Sequence, residues 1–139
     1  MAADTHTLTI PSSTRFLEDV REFVETHAEH ANFSEIAVTQ MKMAVDEACT
    51  NVIEHSYGGQ SGHSIDIAVL VYPDKLVVVI KDKGIEFDRK AYKEPDLIQF
   101  AKTKKSGGFG VHLMKKLMDE VEYRRSSGIN ECRMTKLKS

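Results

Sequence analysis

This chain has too few cysteines and no suitably spaced histidines to belong to the disulfide-rich or zinc-binding classes of protein. Its two cysteines, Cys49 and Cys132, do not make a disulfide framework, and neither has metal-ligand spacing. The six histidines include no His-x-x-x-His pair, so no zinc site is predicted. We expect both thiols to be reduced and packed in a cytoplasmic protein.

The sequence also lacks the marks of a membrane, secreted or nucleic-acid-binding protein. No apolar run approaches the ~20 residues of a membrane-spanning helix. The N-terminal segment MAADTHTLTI has no basic stretch followed by an apolar core, so no signal peptide is predicted. The formal net charge of −2 offers no basic surface to nucleic acid. We therefore expect no direct contact with membranes or nucleic acids.

What the chain does contain is sufficient for one globular domain. Hydrophobic residues make up 41% of it and charged residues 29%, as in soluble proteins. A chain of 139 residues is long enough to bury a hydrophobic core without disulfide bonds. We therefore predict a single domain that covers residues 1–139.

Hydrophobic periodicity predicts the order strand, two helices, two strands, a non-periodic segment, a helix and two strands. The first helix begins after Ser12 or Ser13 and ends near His30, and the second, capped by Ser34, ends near Ser56. The predicted strands are 5–10, 65–71, 76–80, 121–125 and 131–137, and the last helix is 109–118. Short turns between strands favour an α+β two-layer sandwich, with helices on one face of a mixed, mostly antiparallel sheet.

The second helix carries two patterns at once. Glu47, Asn51 and His55 are four residues apart and form a polar column. The column borders an apolar stripe made by Met41, Val45, Ala48 and Val52. A carboxylate and a carboxamide at the edge of a core can ligate a metal or orient a water. The alternative is that they are ordinary solvated residues of an amphipathic helix.

Two further segments suggest a ligand. Asp82 directly follows an apolar strand, where a carboxylate needs a hydrogen-bond donor such as the exocyclic amine of adenine, and Gly84 would let the backbone approach a base. The alternative is a simple Asp-Lys-Gly turn.

A third segment has three glycines between Gly107 and Gly110 that lead into a helix, and such a segment suits a phosphate. The alternative is a flexible hinge, which has the same composition. The segment does not match the Walker pattern. The weakly periodic residues between these segments predict a functional lid or a disordered segment.

These three segments in this order resemble the N, G1 and G2 boxes of the GHKL ATPase superfamily. The most specific stretches are VDEACTNVIEHSYG, DKGIEFD and GGFGVHLMKKLMDEVEYRRS. Over about residues 5–138 the chain looks like the small bacterial anti-sigma-factor serine/threonine kinases of partner-switching systems. The resemblance implies the Bergerat ATP-binding fold, with an ATP lid at about 84–110, and the use of ATP and Mg²⁺.

The resemblance also implies a role for each matching residue. Asn51 would ligate the Mg²⁺ that bridges the ATP phosphates, and Glu47 would be the general base that deprotonates the attacking hydroxyl. Asp82 would accept a hydrogen bond from the adenine amine, and Gly84 would line the base pocket. His55 would lie near the phosphate or ribose; the alternative is a packed or solvated histidine at a helix end. The ATP-binding residues implied in the lid are Lys104, Lys105, Ser106, Gly107, Gly108, Phe109, Gly110 and Val111.

Two positions depart from the superfamily pattern. Glu86 replaces the second glycine of Asp-x-Gly-x-Gly, a glycine that kinase-like members of this branch often lack. The last strand of relatives often has a threonine after its glycine that touches adenine. Here the sequence reads Gly128-Ile129-Asn130, and Asn130 is predicted to donate and accept in its place.

The implied function is an ATP-dependent protein kinase and anti-sigma factor. It would phosphorylate a STAS-type anti-anti-sigma partner on serine or threonine, bind a sigma factor, and form a homodimer through the exposed sheet face or the first strand. The alternative is a catalytically silent ATP/ADP-dependent binding switch, against which Glu47 speaks, because a pure binder needs no base. A two-component histidine kinase is disfavoured, because this length leaves no room for a dimerisation helix pair.

Overall fold

A five-stranded sheet with helices on one face forms the core of the molecule. The computed structural model describes residues 3–85 and 113–138. The strand order is β1-β2-β3-β5-β4, and every described pairing is antiparallel. The strands are β1 (Asp4–Pro11), β2 (Ser64–Val71), β3 (Lys75–Asp82), β4 (Glu120–Ser126) and β5 (Ile129–Leu137). The predicted α+β class is confirmed, with a described sheet that is antiparallel throughout rather than mixed.

Two long helices, α1 (Leu17–His30) and α2 (Glu35–Asn51), pack side by side against the sheet. Ser34 caps α2, as predicted, by accepting a hydrogen bond from the Ala37 backbone N–H at 3.1 Å. Ser13 caps the short 3₁₀ turn that precedes α1. Residues 113–117 are also helical. Among the described residues, no helix is both long enough and apolar enough to cross a membrane.

The end of the second helix differs from the prediction. The chain stays helical to Ser56, but Val52–Ser56 forms a π-helical turn rather than a continuation of α2. In this turn the Tyr57 N–H donates to the Val52 carbonyl at 3.0 Å. A π turn closes its hydrogen bonds over five residues instead of four, so the α-helical periodicity does not continue past Asn51.

The core lies between the helices and one face of the sheet. The predicted stripe on α2 is confirmed, because Met41, Val45, Ala48 and Val52 are all buried. The apolar run of β3 is buried on both faces, as predicted for a central strand. Its residues Val77 and Val79, on the face away from the helices, are only 1% and 5% exposed.

Candidate active site

Glu47 and Asn51 lie one turn apart at the C-terminal end of α2. Asn51 is only 4% exposed. Within the described part of the chain, Glu47 Oε2 and both amide atoms of Asn51 are buried and make no hydrogen bond. Leaving such atoms unpaired costs free energy in a folded protein, so they mark a place where a ligand would supply the missing partners.

The surroundings of Glu47 make it a stronger base than an ordinary glutamate. Burial, and to a lesser extent the negative charges of Asp46 and Glu54, raises the pKa of the Glu47 carboxyl. Asp46 itself pairs with Arg21 of α1 at 2.5 Å. A raised pKa suits a carboxylate that must accept a proton from a hydroxyl group.

Asp82 ends β3 on the helix-facing side of the sheet and is 5% exposed. Its Oδ1 accepts hydrogen bonds from the Gly84 backbone N–H and from Asn130 Nδ2, both at 2.9 Å. Oδ2 accepts no hydrogen bond from the described residues. Among the described residues, one oxygen of this buried carboxylate is therefore satisfied by its own turn and by β5.

Gly84 is required by a close approach between two parts of the protein. A Cβ at this position would lie 2.3 Å from the carbonyl oxygen of Ser56, and the Ile85 N–H donates to the same oxygen at 2.9 Å. Only glycine lets the turn after β3 pack this tightly against the end of the π turn. The contact joins the helix of Glu47 and Asn51 to the turn of Asp82. That Gly84 also lines a base pocket stays a prediction.

Tyr57 strengthens the same junction and was not identified from the sequence. Its hydroxyl donates to the Ser64 carbonyl at 2.7 Å and accepts from the Lys83 N–H at 2.9 Å. The ring also stacks on His63, with 4.5 Å between the centroids. The end of the helix is thus tied to the start of β2 and to the turn after β3.

Asn130 lies beside Asp82 in the sheet, and Arg125 lies beside Asn130. The Asn130 amide group donates to Asp82, and its oxygen accepts from Arg125 Nη1 at 2.7 Å. Sequence reasoning missed Arg125. The turn signal Ser127-Gly128 could have revealed it, because a two-residue hairpin turn places residues 125 and 130 opposite each other.

Several predicted site residues cannot be compared with the structure. Most of the lid predicted at about 84–110 lies outside the described residues, as does Glu86. His55 is half-buried on the π turn, and its proposed place near the phosphates or ribose stays a prediction. The predicted ATP-binding residues outside the described part of the chain are Lys104, Lys105, Ser106, Gly107, Gly108, Phe109, Gly110 and Val111.

The ligand atoms present fit a magnesium ion better than a metal whose whole coordination shell is made of protein side chains. The described residues contain no group of three or more histidine, cysteine, aspartate or glutamate side chains arranged to hold a metal. Mg²⁺ in phosphoryl-transfer sites takes few protein oxygens, and completes its shell with water and substrate phosphates. The buried Oδ1 of Asn51, which has no hydrogen-bond partner in the described structure, is an oxygen donor of this kind.

Sequence comparisons match the chain to a known domain family. The model of the histidine kinase-like ATPase domain matches residues 10–136. A serine-protein kinase RsbW of Bacillus pumilus is 35% identical over 127 residues, covering 86% of this chain and 78% of that protein. The RsbW kinase of Halalkalibacterium halodurans is 32% identical over 130 residues, covering 91% and 79% of the two chains.

Solved structures support the fold. The crystal structure of the RsbU and RsbW domains of Rv1364c from Mycobacterium tuberculosis has a TM-score of 0.70 at 14% identity, covering 98% of this chain and 33% of that longer chain. The Acinetobacter baumannii histidine kinase AdeS has a TM-score of 0.53 at 14% identity, covering 96% of this chain and 68% of that one. The chain belongs to the histidine kinase-like ATPase family, in the branch of the RsbW serine-protein kinases.

Proposed function

We propose that this protein is an ATP-dependent serine/threonine protein kinase and anti-sigma factor of a partner-switching system. The observation that carries the proposal is the pair Glu47 and Asn51. Their buried polar atoms lack hydrogen-bond partners in the described structure, and they lie on a helix whose end packs against the turn of Asp82. The proposed base, metal ligand and acceptor for the nucleotide base would thereby lie on connected parts of the fold.

The chemistry assigned to this site is phosphoryl transfer from ATP to a protein hydroxyl. The hydroxyl oxygen attacks the γ-phosphorus, the bond between that phosphorus and the β,γ-bridging oxygen breaks, and ADP leaves. Glu47 takes the hydroxyl proton, helped by its raised pKa. Asn51 would hold Mg²⁺, which neutralises phosphate charge when bound.

The remaining binding roles follow the family pattern. Asp82 Oδ2 would accept from the adenine amine, and Gly84 would adjoin the base. His55 would approach the ribose or phosphates. Residues 104–111 of the predicted lid would cover the phosphates.

The proposed partners are proteins rather than small molecules. The protein that accepts the phosphate would be a STAS-type anti-anti-sigma protein. The alternative partner would be a sigma factor, and both would meet this protein in the cytoplasm. The names of the relatives support a serine-protein kinase. We also propose a homodimer. The outer sheet face that carries Val77 and Val79, or β1, which ends the described sheet, would form its interface.

Nucleotide binding is the first test of this function. A fluorescent ATP analogue should bind with micromolar affinity, on the order of −7 to −8 kcal/mol, in the presence of Mg²⁺. Asp82→Asn should weaken binding at least about tenfold, because an amide can turn its NH₂ toward the base amine. Failure of the wild-type protein to bind ATP would remove the basis of the proposal.

Catalysis is tested with Glu47→Gln. The wild-type protein should transfer radiolabelled phosphate from ATP to a STAS-domain protein of the same organism. Glu47→Gln should abolish transfer while ATP affinity stays within about twofold, because only the base is lost. Glu29→Gln, an exposed change on α1, is the matched control. Tight ATP binding without transfer by the wild-type protein would identify the silent ATP/ADP-dependent switch instead.

A further inference from the structure

Three polar side chains form a row across neighbouring strands at one end of the sheet. In the strand register, Asp82 of β3 lies opposite Asn130 of β5, and Asn130 lies opposite Arg125 of β4. Asp82 and Asn130 are both buried, at 5% and 8% exposure, whereas Arg125 is exposed. The row therefore runs from solvent to the carboxylate that the proposed function assigns to the nucleotide base.

Hydrogen bonds connect the whole row and engage both amide atoms of Asn130. Arg125 Nη1 donates to Asn130 Oδ1 at 2.7 Å and to the Gly84 carbonyl at 3.2 Å. Asn130 Nδ2 donates to Asp82 Oδ1 at 2.9 Å, to the Ile85 carbonyl at 2.8 Å and to the Gly84 carbonyl at 3.3 Å. Asn130 is thus engaged on its amide oxygen by a cation and on its amide nitrogen by three acceptors.

This arrangement permits only one orientation of the Asn130 amide. A guanidinium group has donors and no acceptor, and a carboxylate has acceptors and no donor. If the amide turned over, its NH₂ would face Arg125 and its oxygen would face Asp82, and both contacts would become repulsive. Arg125 therefore fixes the direction in which Asn130 donates, although it does not contact Asp82.

The consequence for Asp82 is that its two oxygens have different environments. Oδ1 receives Asn130 Nδ2 and the Gly84 N–H, whereas Oδ2 accepts nothing from the described residues. A carboxylate held in this way presents one fixed acceptor. Adenine offers an amine to such an acceptor, whereas hypoxanthine has a carbonyl at the same position, which a carboxylate repels.

We propose that Arg125 and Asn130 are positioning residues that make Asp82 selective for an amino-substituted purine. The inference rests on the proposed ATP site and deepens it. It also gives Asn130 a different role, because an amide whose nitrogen donates to Asp82 and whose oxygen accepts from Arg125 orients the carboxylate.

The test is a competition between ATP and inosine triphosphate for the site, measured by displacement of a fluorescent ATP analogue with Mg²⁺ present. Arg125→Met keeps the length of the side chain but removes its donors. The ratio of ATP to inosine triphosphate affinity should fall about tenfold, the effect of one lost hydrogen bond to a charged group. Arg125→Lys should restore part of the ratio. Arg124→Met is the matched control, because it removes the same charge from the opposite face of β4 and should leave the ratio unchanged.

A second variant separates positioning from simple attraction of phosphate by a positive charge. A threonine hydroxyl can donate to Asp82 without help from Arg125. In an Asn130→Thr background, Arg125→Met should therefore have no further effect on the ratio. The far-UV spectrum and thermal midpoint of each variant establish that it folds. If Arg125→Met does not fold, the Arg125→Lys and Asn130→Thr proteins carry the test.

The outcomes distinguish this inference from the proposed function. If the wild-type protein binds neither nucleotide, the ATP site fails, and the positioning role fails with it. If the wild-type protein prefers ATP and Arg125→Met weakens both nucleotides equally, or neither, the positioning role alone is overturned. A fall in the ratio that persists in the Asn130→Thr background also contradicts it, because Arg125 would then act without Asn130.

Discussion

Asn51 carries a cost in stability that its side chain alone explains. Its two amide atoms are buried without partners in the described structure, which costs about 1–3 kcal/mol for such a group. Asn51→Leu, which has nearly the same shape, should therefore leave the free energy of unfolding unchanged or raise it by about 1 kcal/mol in the absence of nucleotide.

Urea denaturation measures this effect, and Mg²⁺-dependent ATP binding should be lost in the same variant. Asn130→Leu is the opposing control. All of its amide atoms are hydrogen-bonded, so its replacement should destabilise the protein by about 1–3 kcal/mol. A marked loss of stability in Asn51→Leu would mean that Asn51 has a structural role.

Asp46 is the charged neighbour through which the basicity of Glu47 can be altered. Burial is the first cause of the raised pKa of Glu47, and the negative charge of Asp46 is the second. Asp46→Asn removes that charge, so the pKa of Glu47 should fall toward its ordinary value. The acid limb of the profile of kcat/KM against pH should then move to lower pH, in assays of phosphate transfer. An unmoved acid limb would show that another group is the base.

At the scale of elements, the contact between Gly84 and Ser56 joins the helix to the strand that ends at Asp82. Gly84→Ala would force the Ser56 carbonyl to move, since the new Cβ would lie 2.3 Å from it. We expect a loss of about 1–3 kcal/mol in the free energy of unfolding and weaker ATP binding. Gly62→Ala is the control, because a Cβ there meets nothing within 4 Å. Equal stability of the two variants would contradict the close approach.

A pair of stacked histidines joins β1 to α1 and predicts a pH dependence of stability. The rings of His6 and His27 are 3.9 Å apart, and burial, followed by the charges of His6 and His30, lowers the pKa of His27. The folded protein then binds fewer protons than the unfolded chain, so this contribution to stability is full above the ordinary pKa of 6.5 and is lost as the pH falls below it.

Urea midpoints at pH 7.5 and 5.5 test this prediction. The midpoint should fall on acidification, and it should fall less in His27→Gln, which cannot be protonated in this range. Identical pH dependence of the midpoint in the wild-type protein and in His27→Gln would exclude a role for the stacked pair.

At the scale of the whole molecule, nucleotide binding should stabilise the fold, because only the folded chain brings together α2, the turn after β3 and β5. Mg²⁺ and ATP at a hundred times the dissociation constant should raise the free energy of unfolding by about 2.7 kcal/mol. Thermal denaturation measures the shift, and Asp82→Asn should lose most of it at the same concentrations. An equal shift in both proteins would place the nucleotide elsewhere.

The amino-acid sequence by itself determined the order of elements, the buried stripe of α2, the Ser34 cap and the three motifs. Each of these depends on residues a few positions apart, where periodicity and local hydrogen bonding decide the conformation. Glu47 and Asn51 were identifiable because a helix places residues four apart on one face. The family followed from the motifs, since their order and spacing are properties of the chain alone.

Only the tertiary structure decided how these parts meet. The π turn at Val52–Ser56 packs against the turn of Gly84, which is far away in the sequence. Asp82 and Asn130 are 48 residues apart and become neighbours because β5 inserts between β3 and β4. The preference of each residue for helix or strand does not determine that strand order. The orientation of Asp82, and with it the inferred choice of nucleotide, therefore arises from long-range pairing.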